Sequence, residues 1–264
     1  MDIIEAIKER HSVRSFNDKP LTDVQRELLL RAIDDTYSPF EADLTIRLKA
    51  FDSKGDYKPG TYGVIKNARD YFLLGFGEDD ASALNAGFRF EQVVLKAWQA
   101  GLGCCWIAAT FKGSDFDKGE SWPMGQELRI VCPVGTAAKA SLTERFTRFA
   151  LRSANRKSFD ELFFHEDFAH PLSSDNIFSE ALEMMRLAPS STNSQPWRAL
   201  VAGTSVHFYY IEKSRISVLD CGIGLCHFWE AENHRGHQGL FSVTKDAPSN
   251  PKGWKYLISY QRTE

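Results

Sequence analysis

Two short stretches carry residue types from which a binding site can be built. The first is Arg10–His11–Ser12–Val13–Arg14–Ser15–Phe16. Guanidinium groups fork onto phosphate or carboxylate oxygens, and neighbouring serines add hydrogen bonds, so this is a compact anion site. The competing reading is a solvated helix end whose basic residues complement the helix dipole. The second stretch is Ala188–Pro189–Ser190–Ser191–Thr192–Asn193–Ser194–Gln195–Pro196–Trp197. Its prolines cannot sit inside a helix. Between them lie hydroxyls and two amides. A polar elbow between buried elements is where a planar polar ligand is held. The alternative is a capped helix-to-strand loop.

The flanking sequence supplies the elements that position these stretches. Ile3, Ile4, Ala6 and Ile7 predict a short amphipathic helix ending near Glu9 or Arg10. Thr22 reads as the N-cap of a helix through Ile33. Leu44 to Ala50 alternates as a strand, and Tyr71 to Phe76 is an apolar strand. Leu84 to Ala100 reads as a core helix with Glu91 inside its apolar stripe, where a charge needs a partner. Gly101 and Gly103 follow that helix and precede a strand. This is the reverse of the dinucleotide-binding order, so they read as C-caps. Leu128 to Val134 is a strand. Arg145, Arg148, Arg152 and Arg156 share one helical face, read as solvated rather than as a nucleic-acid patch. In the remainder, Ile177 to Leu187 is a helix leading into the elbow. Ala199–Val201 and Val206–Tyr210 are strands about Gly203–Thr204. Asp220 to Glu230 is a core helix begun by glycines, and Trp254 to Tyr260 is a terminal strand.

Composition narrows the function classes. The chain has 264 residues, is 43% hydrophobic and 25% charged, and carries a net charge of −3. It is long enough for a sizeable core, and its charge gives no reason to bind nucleic acid or anionic membrane. No basic leader precedes an apolar run, and no apolar run reaches 18 residues. Five cysteines do not suggest a disulfide framework, so a cytoplasmic protein is expected. The vicinal Cys104 and Cys105 read as packing. Cys221, Cys226, His227, His234 and His237 match no common zinc spacing, and no metal is expected. No serine-nucleophile elbow, P-loop or zinc-protease motif is present.

The wording of both stretches resembles the FMN-dependent nitroreductase family. APSSTNSQPW is similar to the family's cofactor loop, and RHSVRSF to its N-terminal phosphate arm. The resemblance implies that Arg10, His11, Ser12 and Arg14 hold the flavin from one side. Pro189, Ser190, Ser191 and Asn193 then line it from the other. Asn155–Arg156–Lys157 resembles the family's C-terminal basic segment, implying that Arg156 and Lys157 join the phosphate site. Weaker parallels implicate Lys66 and Asn67, in Tyr62–Ala68, and backbone near Ala109, Thr110 or Phe111. The implied fold is α+β: a central, mainly antiparallel sheet flanked by helices, with internal pseudo-duplication. The first half carries the arm, but residues 35–40 have lost the loop pattern, and the second half carries the loop. This layout resembles a tandem branch of the family. It implies a first half over 1–162 and a shorter second half over 163–264, packed as one unit. It also implies a monomer mimicking a dimer, with one FMN. The implied activity is ping-pong transfer of hydride from NADH or NADPH to a small nitroaromatic, quinone or similar acceptor. The alternatives are a non-catalytic FMN-binding or sensor module and a flavin-free structural relic.

Overall fold

The alternation at Leu44 to Ala50 forms β1 (Leu44–Ala50), at the edge of a sheet whose β2 (Asp70–Phe76) is buried throughout. The computed structural model describes residues 1–51, 59–138 and 155–263. The basic face expected at Arg145, Arg148 and Arg152 therefore lies outside the described residues. Helix α1 (Ile3–Glu9) starts at a capping box on Asp2, and α2 (Asp23–Asp34) at one on Thr22. In each, a side-chain oxygen accepts an N–H that the first helical turn leaves without a partner. Helix α3 (Asp80–Gln99) follows β2 and is capped by Asp79. It ends at Gly101, whose φ of 76° is the left-handed conformation that closes a helix.

After α3 come β3 (Gly103–Cys104), a short α4 (Gly113–Phe116) and β4 (Glu127–Gly135). The strands pair in the order β1-β2-β4-β3. A 3₁₀ turn (Phe159–Glu161) precedes β5 (Phe163–His165) and β6 (Asp167–Pro171). Helix α5 (Ser179–Leu187) leads into the elbow, followed by β7 (Trp197–Ala202) and β8 (Ser205–Tyr210). Then come α6 (Ser217–His234), β9 (Gly239–Ser242) and β10 (Lys255–Arg262). The second sheet has the order β6-β5-β7-β8-β10-β9, with β5 parallel to β7. The expected central sheet thus takes the form of two sheets with helices between them.

An internal repeat is visible in this order. The run α2-β1-β2-α3-β3-β4, in which the short α4 is inserted before β4, recurs as α5-β7-β8-α6-β9-β10, and the strands of each run pair in the same pattern. The central helices α3 and α6 cross at two glycines. A Cβ on Gly87 would strike the carbonyl oxygen of Leu219 and lie 3.1 Å from the Gly222 Cα. A Cβ on Gly222 would strike the carbonyl oxygen of Leu84 and lie 3.1 Å from the Gly87 Cα. Each helix meets its partner through the same positions, and only glycine permits that approach. Gly222 and Gly224 do not begin α6 as the sequence suggested. They sit well inside it, because the helix starts at Ser217: Gly222 serves the crossing, while Gly224 makes room for the Met185 and Trp197 side chains.

Candidate active site

Arm and elbow are brought together across this crossing. The arm runs beside β3: Ser12 bridges Cys104, and the Val13 N–H donates to the Cys104 carbonyl at 2.9 Å. Val13 lies where a side chain on Gly103 would be, so that glycine lets the arm lie flat on the strand. The Lys66 N–H donates to the Arg14 carbonyl at 2.8 Å and fixes the arm from its other edge.

The elbow is a strained turn. Thr192, Asn193 and Gln195 have φ of 50°, 58° and 45°. Each such conformation costs on the order of 1–3 kcal/mol and persists only where surroundings enforce it. Here the enforcement is visible. The Gln195 N–H donates to Ser190 Oγ at 2.9 Å, and the Ser191 N–H to both Asp220 carboxylate oxygens at 3.0 and 3.1 Å. Arg156 donates to Asn193 Oδ1 at 2.6 Å and to the Leu187 carbonyl at 2.9 Å. The Lys157 N–H donates to Gln195 Oε1 at 2.9 Å.

Between arm and elbow is a cavity of about 300 Å³. Ser12 and Arg14 line it from the arm, Trp106 to Thr110 from the segment after β3, and Pro189 to Thr192 from the elbow. Helix α6 adds the stripe Leu219, Asp220 and Ile223. Of the residues expected from the sequence, the cavity gathers Ser12, Arg14, Ala109, Thr110, Pro189, Ser190 and Ser191. It does not gather Arg10, His11, Lys66, Asn67, Asn193, Arg156 or Lys157. The His11 ring packs edge-on against Trp98 at 4.9 Å, and Lys66 and Asn67 are exposed. Asn193, Arg156 and Lys157 brace the elbow from behind.

Arg10 is turned into the protein. Its side chain is 4% exposed, with Nε 3.8 Å from Glu91 Oε1. Glu91 is fully buried and also receives Trp106 Nε1 at 2.7 Å on Oε2 and His227 Nε2 at 2.9 Å on Oε1. His227 Nδ1 reaches the Met184 carbonyl at 3.2 Å. This hub ties the arm, α3, the cavity wall, α5 and α6 to one carboxylate, the partner that Glu91 needed.

Charged groups of both signs lie at and beside the cavity. Burial, then the guanidinium groups of Arg10 and Arg186, brings Arg156 down to about 10. Burial is also the largest cause of the lowered Lys157 pKa, with Arg198 next. Arg14 makes no side-chain hydrogen bond or ion pair among the described residues. Burial pushes Asp220 up to about 7, against the pull of the Ser191 and Ser194 donors. All five cysteines are free and buried.

A larger cavity of about 580 Å³ lies along α2 and α3. Arg31 and Lys96 face Glu27, Asp35 and Glu230 there, and no arm or elbow residue lines it. The smaller cavity holds the converging groups and is the candidate site.

The family described as "Putative TM nitroreductase" matches residues 2–232. The chain belongs to this nitroreductase family. A "putative nitroreductase" from Thermotoga maritima aligns with 99% of this chain and 93% of its own, at 19% identity and a TM-score of 0.61. The nitroreductase fold is therefore shared along the whole length. A nitroreductase with bound FMN from Bacteroides fragilis covers 54% of this chain and 91% of its own, at 16% identity and a TM-score of 0.43. An FMN-dependent nitroreductase from Clostridium difficile covers 52% and 89%, at 17% identity and a TM-score of 0.41. No curated protein matches the chain. No helix among the described residues of this nitroreductase-family chain is long and apolar enough to cross a membrane.

Sequence reasoning missed Trp106, Asp220 and the α6 stripe. Asp220 had a legible signal, since it is a lone charge in the apolar run Leu219–Asp220–Cys221–Gly222–Ile223. That is the signal by which Glu91 stood out.

Proposed function

We propose that this chain binds one FMN between arm and elbow and is an oxidoreductase. It passes hydride from NADH or NADPH to a small nitroaromatic, quinone or similar electron-poor acceptor in two half-reactions. The observation that carries the reading is the convergence of Ser12 and Arg14 with Pro189, Ser190 and Ser191 on one cavity. The lining suits the group. Ile107, Ala108, Ala109, Ile130, Leu219 and Ile223 offer apolar surface to a flat ring, the elbow offers hydroxyls to a polyol, and Arg14 offers an unpaired cation to an anion. Bound FMN supplies the hydride chemistry. The protein's own part is to hold the ring, exclude water with the apolar walls, and place positive charge beside it. Arg14 fits that last role better than Arg10, which Glu91 already engages.

The same proposal includes a fused pseudo-dimer with halves at 1–162 and 163–264, acting as a monomer in the cytoplasm. Chain entering the second sheet at β5 (Phe163–His165) supports that boundary. Across the glycine crossing, aromatic rings pack where a mate of the cavity would lie. Phe88, which follows Gly87 as Ile223 follows Gly222, packs against Phe40 at 5.3 Å and Phe241 at 6.1 Å. Ser38 Oγ donates to Asn85 Oδ1 at 2.6 Å, at the position where Asp220 instead receives the Ser191 backbone N–H. The loop whose pattern was lost at residues 35–40 therefore carries the plug.

The test is the visible spectrum of purified protein, reconstituted with FMN where colourless, then titrated anaerobically with NADH and NADPH. One equivalent of flavin per chain that bleaches is the expected result. A flavin band that never bleaches would leave a binding or sensor module, and two equivalents would end the single-site reading. No band after reconstitution would make the chain a flavin-free relic.

A further inference from the structure

We propose that Asp220 is a ligand-contacting residue: its carboxyl accepts a hydrogen bond from a hydroxyl of the bound cofactor's polyol chain. The inference rests on the flavin reading above. Asp220 is 2% exposed, yet it lines the cavity beside Ser190 and Ser191. It is the polar member of an α6 stripe whose other members, Leu219 and Ile223, are apolar.

Its acceptor capacity is underused. A carboxylate offers about four acceptor positions. Asp220 receives one N–H, shared between its oxygens at 3.0 and 3.1 Å, and one long contact from Ser194 Oγ at 3.4 Å. No cation forms an ion pair with it among the described residues, although Arg14 lines the same cavity. A buried carboxyl short of donors is costly, and a ligand bringing a donor relieves that cost. The burial that lifts its pKa to about 7 has the same origin.

The donor is a hydroxyl rather than a ring N–H because of how the walls divide. Ile107, Ala108, Ala109 and Ile130, with Leu219 and Ile223 on α6, are the apolar lining, while Asp220 is tied to the elbow hydroxyl cluster through the Ser191 N–H and Ser194 Oγ. The polar side chain of a ligand belongs against the second group. The contrast with Asn85 is informative. At the plugged position, the residue equivalent to Asp220 is an amide that spends its oxygen on Ser38 and its nitrogen on the Ala42 carbonyl at 2.6 Å. Asn85 thus has both of its polar atoms engaged by protein at 2.6 Å, whereas Asp220 holds one shared N–H and one long contact.

The test compares riboflavin, which has the polyol, with lumiflavin, which has the same ring and imide N–H but no hydroxyls. Binding is followed by flavin fluorescence quenching at pH 8.5, where the carboxyl is ionised. Asp220→Asn keeps an oxygen for the Ser191 N–H, so the elbow stays anchored. Riboflavin is expected to bind the variant about five- to tenfold more weakly than wild type, the loss of charge assistance. Lumiflavin affinity is expected to stay within about twofold. Equal weakening of both, or of neither, would overturn the proposal and leave Asp220 as an anchor of the elbow. Should wild type bind neither flavin, the flavin reading itself falls, and this contact with it. Asp220→Glu gives a second check: a carboxyl displaced by one methylene should lose riboflavin selectively as well.

Discussion

Glu91→Gln tests whether the hub holds the two halves of the site in register. The change preserves volume and removes the carboxylate that His227 Nε2 meets at 2.9 Å and Trp106 Nε1 at 2.7 Å. It also strips the Arg10 side chain, 4% exposed, of its counter-charge. Breaking a buried pair by removing one partner costs about 3–5 kcal/mol, because the remaining charge stays desolvated. Against a total stability of about 5–15 kcal/mol, that is a large fraction. Urea unfolding at neutral pH, followed by tryptophan fluorescence, should show a lower midpoint with an unchanged slope. His227→Gln should be destabilising too. The double variant should fall short of the summed single effects by about 1 kcal/mol or more, since both remove one interaction. A Glu91→Gln protein within about 0.5 kcal/mol of wild type, or strict additivity in the cycle, would refute the hub. If Glu91→Gln fails to fold, His227→Gln measured alone still decides: no loss would be incompatible with the argument.

Three further outcomes follow from the same geometry. Arg14→Ala should weaken FMN binding by about 1.5–3 kcal/mol, the contribution of a charge-assisted contact, read by fluorescence titration; unchanged affinity would remove Arg14 from the site. In the apo protein, burial lifts the carboxyl of Asp220 from the ordinary range near 4 to about 7, so burial of its charge weakens the fold progressively as pH rises between those values. Asp220→Asn should therefore match wild type near pH 4 and exceed it by up to about 4 kcal/mol above pH 7 in denaturant unfolding; a gap independent of pH would contradict this. Gly87→Ala should cost at least about 2 kcal/mol in thermal or urea unfolding, since its methyl meets backbone rather than a movable side chain. A neutral result would mean that the helices can separate freely at the crossing.

What could be read from the sequence follows from how local each signal is. Strand β1 matches the expected Leu44–Ala50 at both ends because alternation and flanking punctuation are local. The elbow was legible for the same reason, since two prolines and a run of hydroxyls declare it. Glu91 was legible as a problem but not as a solution. His227 lies 136 positions away and Arg10 enters from another element, so no local pattern names them. Arg10 and Arg14 look alike in the arm, yet one is turned inward and the other lines the cavity. Their difference is set by packing that spacing does not encode. The glycines of α6 were misread because a helix start, a helix crossing (Gly222) and close side-chain packing (Gly224) all use Gly.

The reciprocal contact of Gly87 and Gly222 has an evolutionary consequence. In a symmetric assembly of identical chains, every substitution is made twice, so neither of two equivalent pockets can change without the other. Two runs of an internal repeat within one chain are free of that constraint. Phe40, Phe88 and Phe241 pack together on one side of the crossing, while Ile223 lines an open cavity on the other. The glycines cannot diverge in this way, because each is the other's clearance. The crossing is therefore the part of the molecule expected to stay symmetric after the rest has drifted apart.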